Sequence, residues 1–494
     1  MNATLSLASI LAEQARRRPD RIALIEGAQR FTFAELWARA RGQAAALIEH
    51  GVRPGDRVAL MCPNTAEFPV VYYAILAAGA VVVPVHLLLT AGEAEHVLRD
   101  SEARLLVCHP WFAEVGQAAA EAAEVSCIDP NSLDAQPIAN FVSRQPGDPA
   151  VVFYTSGTTG RPKGAELSHL NMVMNATVNA FDANDVRSDD VALGALPLFH
   201  VFGQTVSMNA TWRAGATLVL LPRFDAAEAI RLMIAQGVNT FHGVPTMYVG
   251  LIAAARELPE PPRLRLCISG GASLPEPVLE AFGAAFGATI LEGYGLSETS
   301  PTSAVNQPDF GVKPGTVGHS VWGVDVEIAD PYVSERITLL PTGELGEVVI
   351  RGHNLFNGYL GNPEATAAAV VDGWFRTGDL GVKDADGYLT IVDRIKDMII
   401  RGGFNVYPTE VEEALLRHPD IAAVAVIGLP DDTYGEEVCA VVVPAGAVTA
   451  EAVIDYGRAH LAKHKYPRRV EFVTELPLGP SHKVLKRELR KQFI

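Results

Sequence analysis

At 494 residues the chain is too long for one ordinary hydrophobic core, and its length predicts about three domains or subdomains. Hydrophobic residues at 49% and charged residues at 20% exclude a disordered chain, while a net charge of −17 argues against wholesale nucleic-acid binding. Cysteines 62, 108, 127, 267 and 439 are odd in number, widely spaced and free of a Cys-x-x-Cys pair, which points to a reducing compartment and no zinc site. Met1 to Ala12 lacks a basic n-region and Arg16 to Arg18 follow the apolar stretch, so no secretory signal is predicted and a cytoplasmic protein is expected.

Residues 22–26, 57–61 and 81–85 read as strands separated by helical stretches such as Phe33 to His50, an alternation that predicts α/β architecture with a largely parallel sheet. Phe68 to Leu89 carries no charge and is long enough to span a bilayer, but Pro69, Gly79 and Pro84 interrupt it. A buried helix followed by a strand is expected instead, with no integral-membrane segment. A second set begins near Ala150, with strands at 192–196, 216–221, 239–241 and 265–269 and a helix Ala226 to Gln236, giving a large N-terminal region of two α/β halves. From about Glu344 the strands shorten, at 346–351 and 387–392, and predict a small β-rich subdomain.

Asp393-Arg394-Ile395-Lys396-Asp397 then bridges to a C-terminal α+β piece, so the expected domains are 1–394 and 395–494. In that piece Thr409-Glu410-Val411-Glu412 has capping-box spacing and predicts a helix Val411 to Arg417. His460 and His464 have the spacing of a helical metal pair, but without a third ligand nearby they read as packed or solvated. Arg458 to Ile494 holds ten Lys/Arg and three Asp/Glu, a basic tail on an acidic chain that would suit a polyanionic cosubstrate.

The run Thr155-Ser156-Gly157-Thr158-Thr159-Gly160-Arg161-Pro162-Lys163-Gly164 packs four hydroxyls, three glycines and two cations into ten residues, just after an apolar strand, Ala150 to Tyr154. Glycines let backbone N–H groups converge on an anion, and the hydroxyls and Lys163 add donors and charge, so a polyphosphate is the expected ligand. The spacing is not that of a Walker A loop. Further along come Leu196-Pro197-Leu198-Phe199-His200, Glu292-Gly293-Tyr294-Gly295-Leu296-Ser297-Glu298-Thr299, Trp374-Phe375-Arg376-Thr377-Gly378-Asp379 and, near the end, Lys483.

Taken together and in this order, these segments resemble the signatures of the adenylate-forming superfamily of acyl-CoA synthetases, luciferases and adenylation domains, most like a bacterial fatty-acid or aryl-acid CoA ligase. The resemblance covers nearly the whole chain and implies a mobile C-terminal domain. It implies that Thr155 to Gly160 and Lys163 bind the phosphates of ATP, that Gly271, Ala272, Tyr294, Gly295 and Ser297 hold the rest of the nucleotide, and that Asp379 and Arg394 meet the ribose. Glu298, with Thr155, would hold Mg²⁺. Lys483 would bridge the substrate carboxylate and the α-phosphate, and His200 would join Lys483 and Glu298 as a catalytic residue. The acyl pocket would be His200, Val201, Phe202, Gly203, Gly243, Val244, Pro245 and Ser300. Lys396 would be the hinge, and Gly402 and Gly403 would line the path of coenzyme A. One departure stands out: His482 occupies a position where the family usually has glycine.

The implied reaction joins a carboxylic acid to ATP as acyl-AMP and then passes the acyl group to CoA, with an amine or a carrier protein as the alternative acceptor. Attack of a carboxylate on a phosphate brings two anions together, so cations and oriented dipoles must do most of the work. Between Val191 and Phe224 there is no acidic residue, which disfavours an amino-acid substrate, and Arg213 is the only cation from Pro197 to Pro222, which gives little support for a dicarboxylate. An apolar fatty or aryl acid fits best; a homodimer is left open.

Overall fold

The structure, a computed structural model, describes residues 3–155, 162–256, 258–479 and 484–494. Four sheets organise the chain. The first has seven strands in the order Gly358–Tyr359, Lys163–Ser168, Pro149–Thr155, Val81–Pro84, Arg57–Met61, Leu105–Cys108 and Ser126–Ile128. Its last five strands run parallel, and the apolar Val81–Pro84 and Leu105–Cys108 among them are buried at every position. Helix Phe33–Glu49 starts at a capping box between Thr32 and Glu35. Helix Glu67–Ala77 is buried at every position from Phe68 to Ala77. The uncharged stretch is therefore core from Phe68 to Val85, and among the described residues no helix is long and apolar enough to cross a membrane.

The second sheet has nine strands: His319–Ser320, Thr302–Val305, Ile290–Gly295, Leu266–Ser269, Thr240–Gly243, Val191–Gly194, Thr217–Leu220, Ile22–Glu26 and Gln29–Thr32. Here the structure corrects a grouping that follows from chain order alone. Strand Ile22–Glu26 does not join 57–61 and 81–84; it lies parallel to Thr217–Leu220. Trp212 Nε1 donates to Ala23 O at 2.9 Å and Thr217 Oγ1 to Ile22 O at 2.7 Å, so buried donors fix this long-range partner. Alternation of strands and helices predicts architecture but does not choose partners.

The third sheet, Val324–Ala329, Gly346–Gly352, Trp374–Lys383 and Val370–Val371 with Leu389–Arg394 alongside, begins at Val324, before the change of texture at Glu344. The fourth is built of Phe404–Val406, Ile399–Arg401, Gly435–Pro444 and Ile421–Asp431, with Arg469–Phe472 parallel to Gly435–Pro444. The helix expected over 411–417 spans Pro408–Leu415, with proline in its first turn and no side-chain cap. Thr409 caps nothing: its N–H donates to Asp393 Oδ2 at 2.9 Å, while Glu412 accepts from Val426 N and pairs with Lys486 Nζ at 2.7 Å. All five cysteines are unpaired, and His460 and His464 pack on Tyr456 and Phe404.

Candidate active site

Two residues of the segment expected to bind phosphates, Thr155 and Lys163, lie opposite each other where strand Pro149–Thr155 pairs antiparallel with Lys163–Ser168. Ser156, Gly157, Thr158, Thr159 and Gly160 lie outside the described residues, as does Lys483. On the far side of Lys163–Ser168 runs Gly358–Tyr359, with Tyr359 opposite Ala165 and its ring 5.2 Å from Lys163 Nζ. Tyr359 Oη donates to Glu298 Oε1 at 2.9 Å.

Glu298 lies in the short 3₁₀ turn Ser297–Thr299 that follows strand Ile290–Gly295, and it is buried. Burial raises its carboxyl above the ordinary range, while its own backbone N–H, the Tyr359 hydroxyl and Thr155 pull the other way. A desolvated carboxylate with oxygen donors from Thr155 and Tyr359 at its side is a fitting ligand for a hard divalent cation.

The loop carrying Glu298 is held from below by buried amides, which the sequence reading missed. Asn175 Nδ2 donates to Thr302 O at 2.8 Å, and Thr302 N donates back to Asn175 Oδ1 at 3.2 Å. Ser300, with φ at 74°, donates through Oγ to Asn354 O at 2.8 Å, and Phe356 N donates to Glu298 O at 2.9 Å. Gly295 must be glycine here, since a Cβ would stand 1.8 Å from Pro301 O. A single asparagine or tyrosine in a polar loop gives no sequence signal of such a role; only the pairing in space reveals it.

Asp379 and Arg394 are directly opposite each other in the register of Trp374–Lys383 and Leu389–Arg394. The Arg394 Nε to Asp379 Oδ1 separation is 3.5 Å, and Tyr294 Oη donates to Asp379 Oδ2 at 2.6 Å. Three residues singled out for the nucleotide thus form one cluster. Gly271 has φ at +85°, and the exposed Gly271 and Ala272 present main chain to solvent at the end of strand Leu266–Ser269. Just below them buried Glu292 accepts from Leu274 N at 2.9 Å, and burial pushes its carboxyl up to about 7, a proton-rich neighbour.

The acyl-pocket candidates gather around the same strand ends. His200 Nδ1 accepts from Phe202 N at 3.2 Å, and at Gly203 a Cβ would stand 2.3 Å from Pro197 O. Val201 and Gly203 are buried, Gly243 ends strand Thr240–Gly243, buried Val244 follows, and Pro245 opens helix Pro245–Ala255. A Cβ on Gly270 would meet both Gly293 O and the Phe202 ring at 3.3 Å, so Gly270 is bordered by both the segment expected at the acyl group and the one expected at the nucleotide. Arg213 turns to helix His169–Val178, bonding Thr177 Oγ1 at 3.1 Å and covering the Phe181 ring.

Lys396 lies in the turn after Arg394, where Asp397 N and Met398 N both donate to Arg394 O at 3.1 Å. Asp393 bonds Arg394 N on one side and Thr409 N on the other, linking the third sheet to helix Pro408–Leu415. Gly402 and Gly403, with φ at +58° and +83°, form the tip of a hairpin in the fourth sheet, and Gly402 N donates to Tyr434 O at 2.7 Å.

Residues 11–360 match the family described as AMP-binding enzyme, and residues 410–483 match the AMP-binding enzyme C-terminal domain. The chain is 38% identical over 493 residues to a feruloyl-CoA synthase of an Amycolatopsis species, covering 99% of both proteins. It is 34% identical to a long-chain-fatty-acid–CoA ligase of Bacillus subtilis strain 168, covering 99% of this chain and 94% of that one. Among solved structures, the anthranilate CoA ligase AuaEII in complex with anthranoyl-AMP superposes with a TM-score of 0.92 at 27% identity, covering 100% of this chain and 98% of that one. The o-succinylbenzoate CoA synthetase MenE of Bacillus subtilis with ATP and magnesium gives 0.88 at 32% identity, covering 97% and 99%.

Proposed function

The chain belongs to the AMP-binding enzyme family, and on that premise we propose that it is an AMP-forming carboxylic acid:CoA ligase. It uses ATP, Mg²⁺ and coenzyme A: acid and ATP give acyl-AMP and pyrophosphate, and the CoA thiol then displaces AMP to give the thioester. The observation that carries this reading is similarity along the full length to proteins named as CoA ligases. A fatty or aryl acid is the proposed substrate class, in keeping with the lack of acidic residues from Val191 to Phe224.

In this reading Thr155, Lys163 and the loop between them receive the phosphates, and Tyr294, Asp379 and Arg394 orient the nucleoside by hydrogen bonds to its hydroxyls. Glu298 and Thr155 hold the divalent cation, whose charge when bound offsets that of the phosphates. Lys483, assigned by its place in the sequence, brings an ammonium to the point where carboxylate and α-phosphate meet, and His200 borders the acyl group. Residues 1–394 act as the adenylating unit, and 395–494 turn about Lys396 so that Gly402 and Gly403 replace Lys483 beside the substrate. Support for this division is the start of a separate sheet at Ile399. The five unpaired cysteines support a cytoplasmic setting.

The test measures the two half-reactions separately across fatty, aryl and dicarboxylic acids. Acid-dependent pyrophosphate release without CoA, followed by thioester formation on adding CoA, is expected, and Lys483→Ala should lose the first step far more than thioester formation from supplied acyl-AMP. Pyrophosphate release with no CoA thioester for any acid would move the protein to an amine or carrier-protein acceptor.

A further inference from the structure

His242 is 1% exposed, and one of its two ring nitrogens has no partner. Nδ1 lies 3.2 Å from Ser207 Oγ, and Nε2 is buried and unbonded. Of the two neutral tautomers, the one with its proton on Nδ1 would leave both the Ser207 hydroxyl and Nε2 unsatisfied. With the proton on Nε2, Ser207 donates to Nδ1 and a single group is left over. Burial lowers the imidazole pKa to about 4, so the ring is neutral at physiological pH and presents one unpaired N–H donor.

Its place in the sheet sets it beside the acyl-pocket candidates. In the register of the second sheet His242 is opposite Ile268, on the face that packs with Val206, Ala210 and Leu291 and against which Phe202 and Tyr294 lie. Phe241 points to the other face, against Tyr248. Ser207 belongs to Gly203–Asn209, a buried π-helical segment that continues directly from the acyl-pocket candidates His200 to Gly203, and Gly243 follows His242 in the chain. π-Helical turns inside helices are frequent at functional sites. An unpaired donor buried in the protein costs free energy that an incoming acceptor recovers.

We propose that His242, oriented by Ser207, donates a hydrogen bond to the acyl end of the substrate, so that the protein selects an apolar carboxylic acid bearing an oxygen acceptor remote from its carboxylate. Hydroxyl, alkoxy and oxo substituents all meet this requirement, on a ring or along a chain. The proposal rests on the ligase reading above and names the substrate class within it.

The experiment compares kcat/KM for thioester formation with cinnamate and its ortho, meta and para hydroxy and methoxy derivatives, and with a saturated fatty acid and its hydroxy and oxo derivatives. In the wild type the best oxygenated acid should exceed its unsubstituted parent by about tenfold or more. His242→Leu, which deletes both the free N–H and the bond to Ser207, should collapse the ratio of kcat/KM between the best oxygenated acid and its unsubstituted parent to within about twofold. His242→Gln, which can return an amide N–H to the same place, should retain part of the preference and guards against loss of the fold as the cause. Thioester formation with no preference for any oxygenated acid, or a preference that persists unchanged in His242→Leu, overturns the proposal while leaving the ligase reading intact. Absence of thioester with every acid would instead count against the ligase reading.

Discussion

Tyr359 Oη stands 2.9 Å from Glu298 Oε1, a contact between residues 61 positions apart that ties the carboxylate proposed to hold the cation to the hairpin proposed to receive the phosphates. Tyr359 is paired with Lys163–Ser168, so any shift of that hairpin would be felt at Glu298. The hydroxyl also occupies one carboxylate lone pair and leaves the remaining ones to a metal. Tyr359→Phe keeps the ring that packs on Phe356 and removes only this donor. The Mg²⁺ concentration for half-maximal pyrophosphate release should rise about threefold to tenfold, with a stability loss of about 1 kcal/mol. An unchanged Mg²⁺ titration would show that Glu298 is positioned without Tyr359.

Gly295→Ala tests the loop that carries Glu298. The added methyl would stand 1.8 Å from Pro301 O and 2.6 Å from Pro301 C, main-chain atoms that cannot swing aside as a flexible side chain could. Pro301 is fixed in turn by the bonds of Ser300 to Asn354 and of Thr302 to Asn175. A destabilisation of more than about 2 kcal/mol in urea unfolding is expected, together with loss of adenylation. A variant as stable and active as the wild type would mean that this loop is far softer than its bonding implies.

Glu292→Gln should change stability in a pH-dependent way. The folded-state carboxyl is pushed up to about 7 from an ordinary value near 4.5, chiefly because it is buried and in part because Glu413 of helix Pro408–Leu415 adds negative charge. A raised carboxyl pKa contributes stability that is fully present below the unfolded value near 4.5 and lost as pH rises through 7, a change on the order of 3 kcal/mol. Glutamine does not titrate, so the melting temperature of the variant relative to wild type should climb between pH 5 and pH 8. A difference that stays flat over that range would place the Glu292 titration outside it.

The sequence carried the fold furthest where period and charge were clearest. Helix Ala226–Gln236 and strand Arg57–Met61 have the expected limits, because apolar runs bounded by glycine, proline or charge leave little choice of ends. Strand partners were less legible: Ile22–Glu26 belongs with Thr217–Leu220 through bonds from Trp212 and Thr217 that no local pattern encodes. At the candidate site, motifs gave the chemical groups, and Asp379, Arg394 and Tyr294 do converge. The residues that hold such groups in place, Tyr359, Asn175 and Asn354, were invisible because positioning depends on long-range bonds from ordinary polar side chains. The capping-box spacing at Thr409 misled for a related reason. Asp393, outside the four-residue motif, accepts the Thr409 N–H and lets the helix start at Pro408.

Lys396→Pro should separate the two half-reactions. Proline fixes φ near −65° and restricts the residue before it, so a rotation centred on Lys396 would be blocked while a static fold would be little affected. The surroundings favour a localised pivot: Ile395 N is bonded to Gly378 O before Lys396, and Asp397 N and Met398 N are bonded to Arg394 O after it. Asp393, bridging Arg394 N and Thr409 N, keeps strand Leu389–Arg394 and helix Pro408–Leu415 in contact across the turn. If the C-terminal domain turns about this residue, acyl-AMP formation should persist in the variant when the locked geometry is the adenylating one, and thioester formation should fall by tenfold or more, roughly. A surface lysine in a charged turn would behave differently, since proline would then cost some stability and depress both steps alike. Rates of pyrophosphate release and of thioester formation, measured separately on the same preparation, decide between these outcomes, and parallel loss or parallel retention would exclude Lys396 as the pivot.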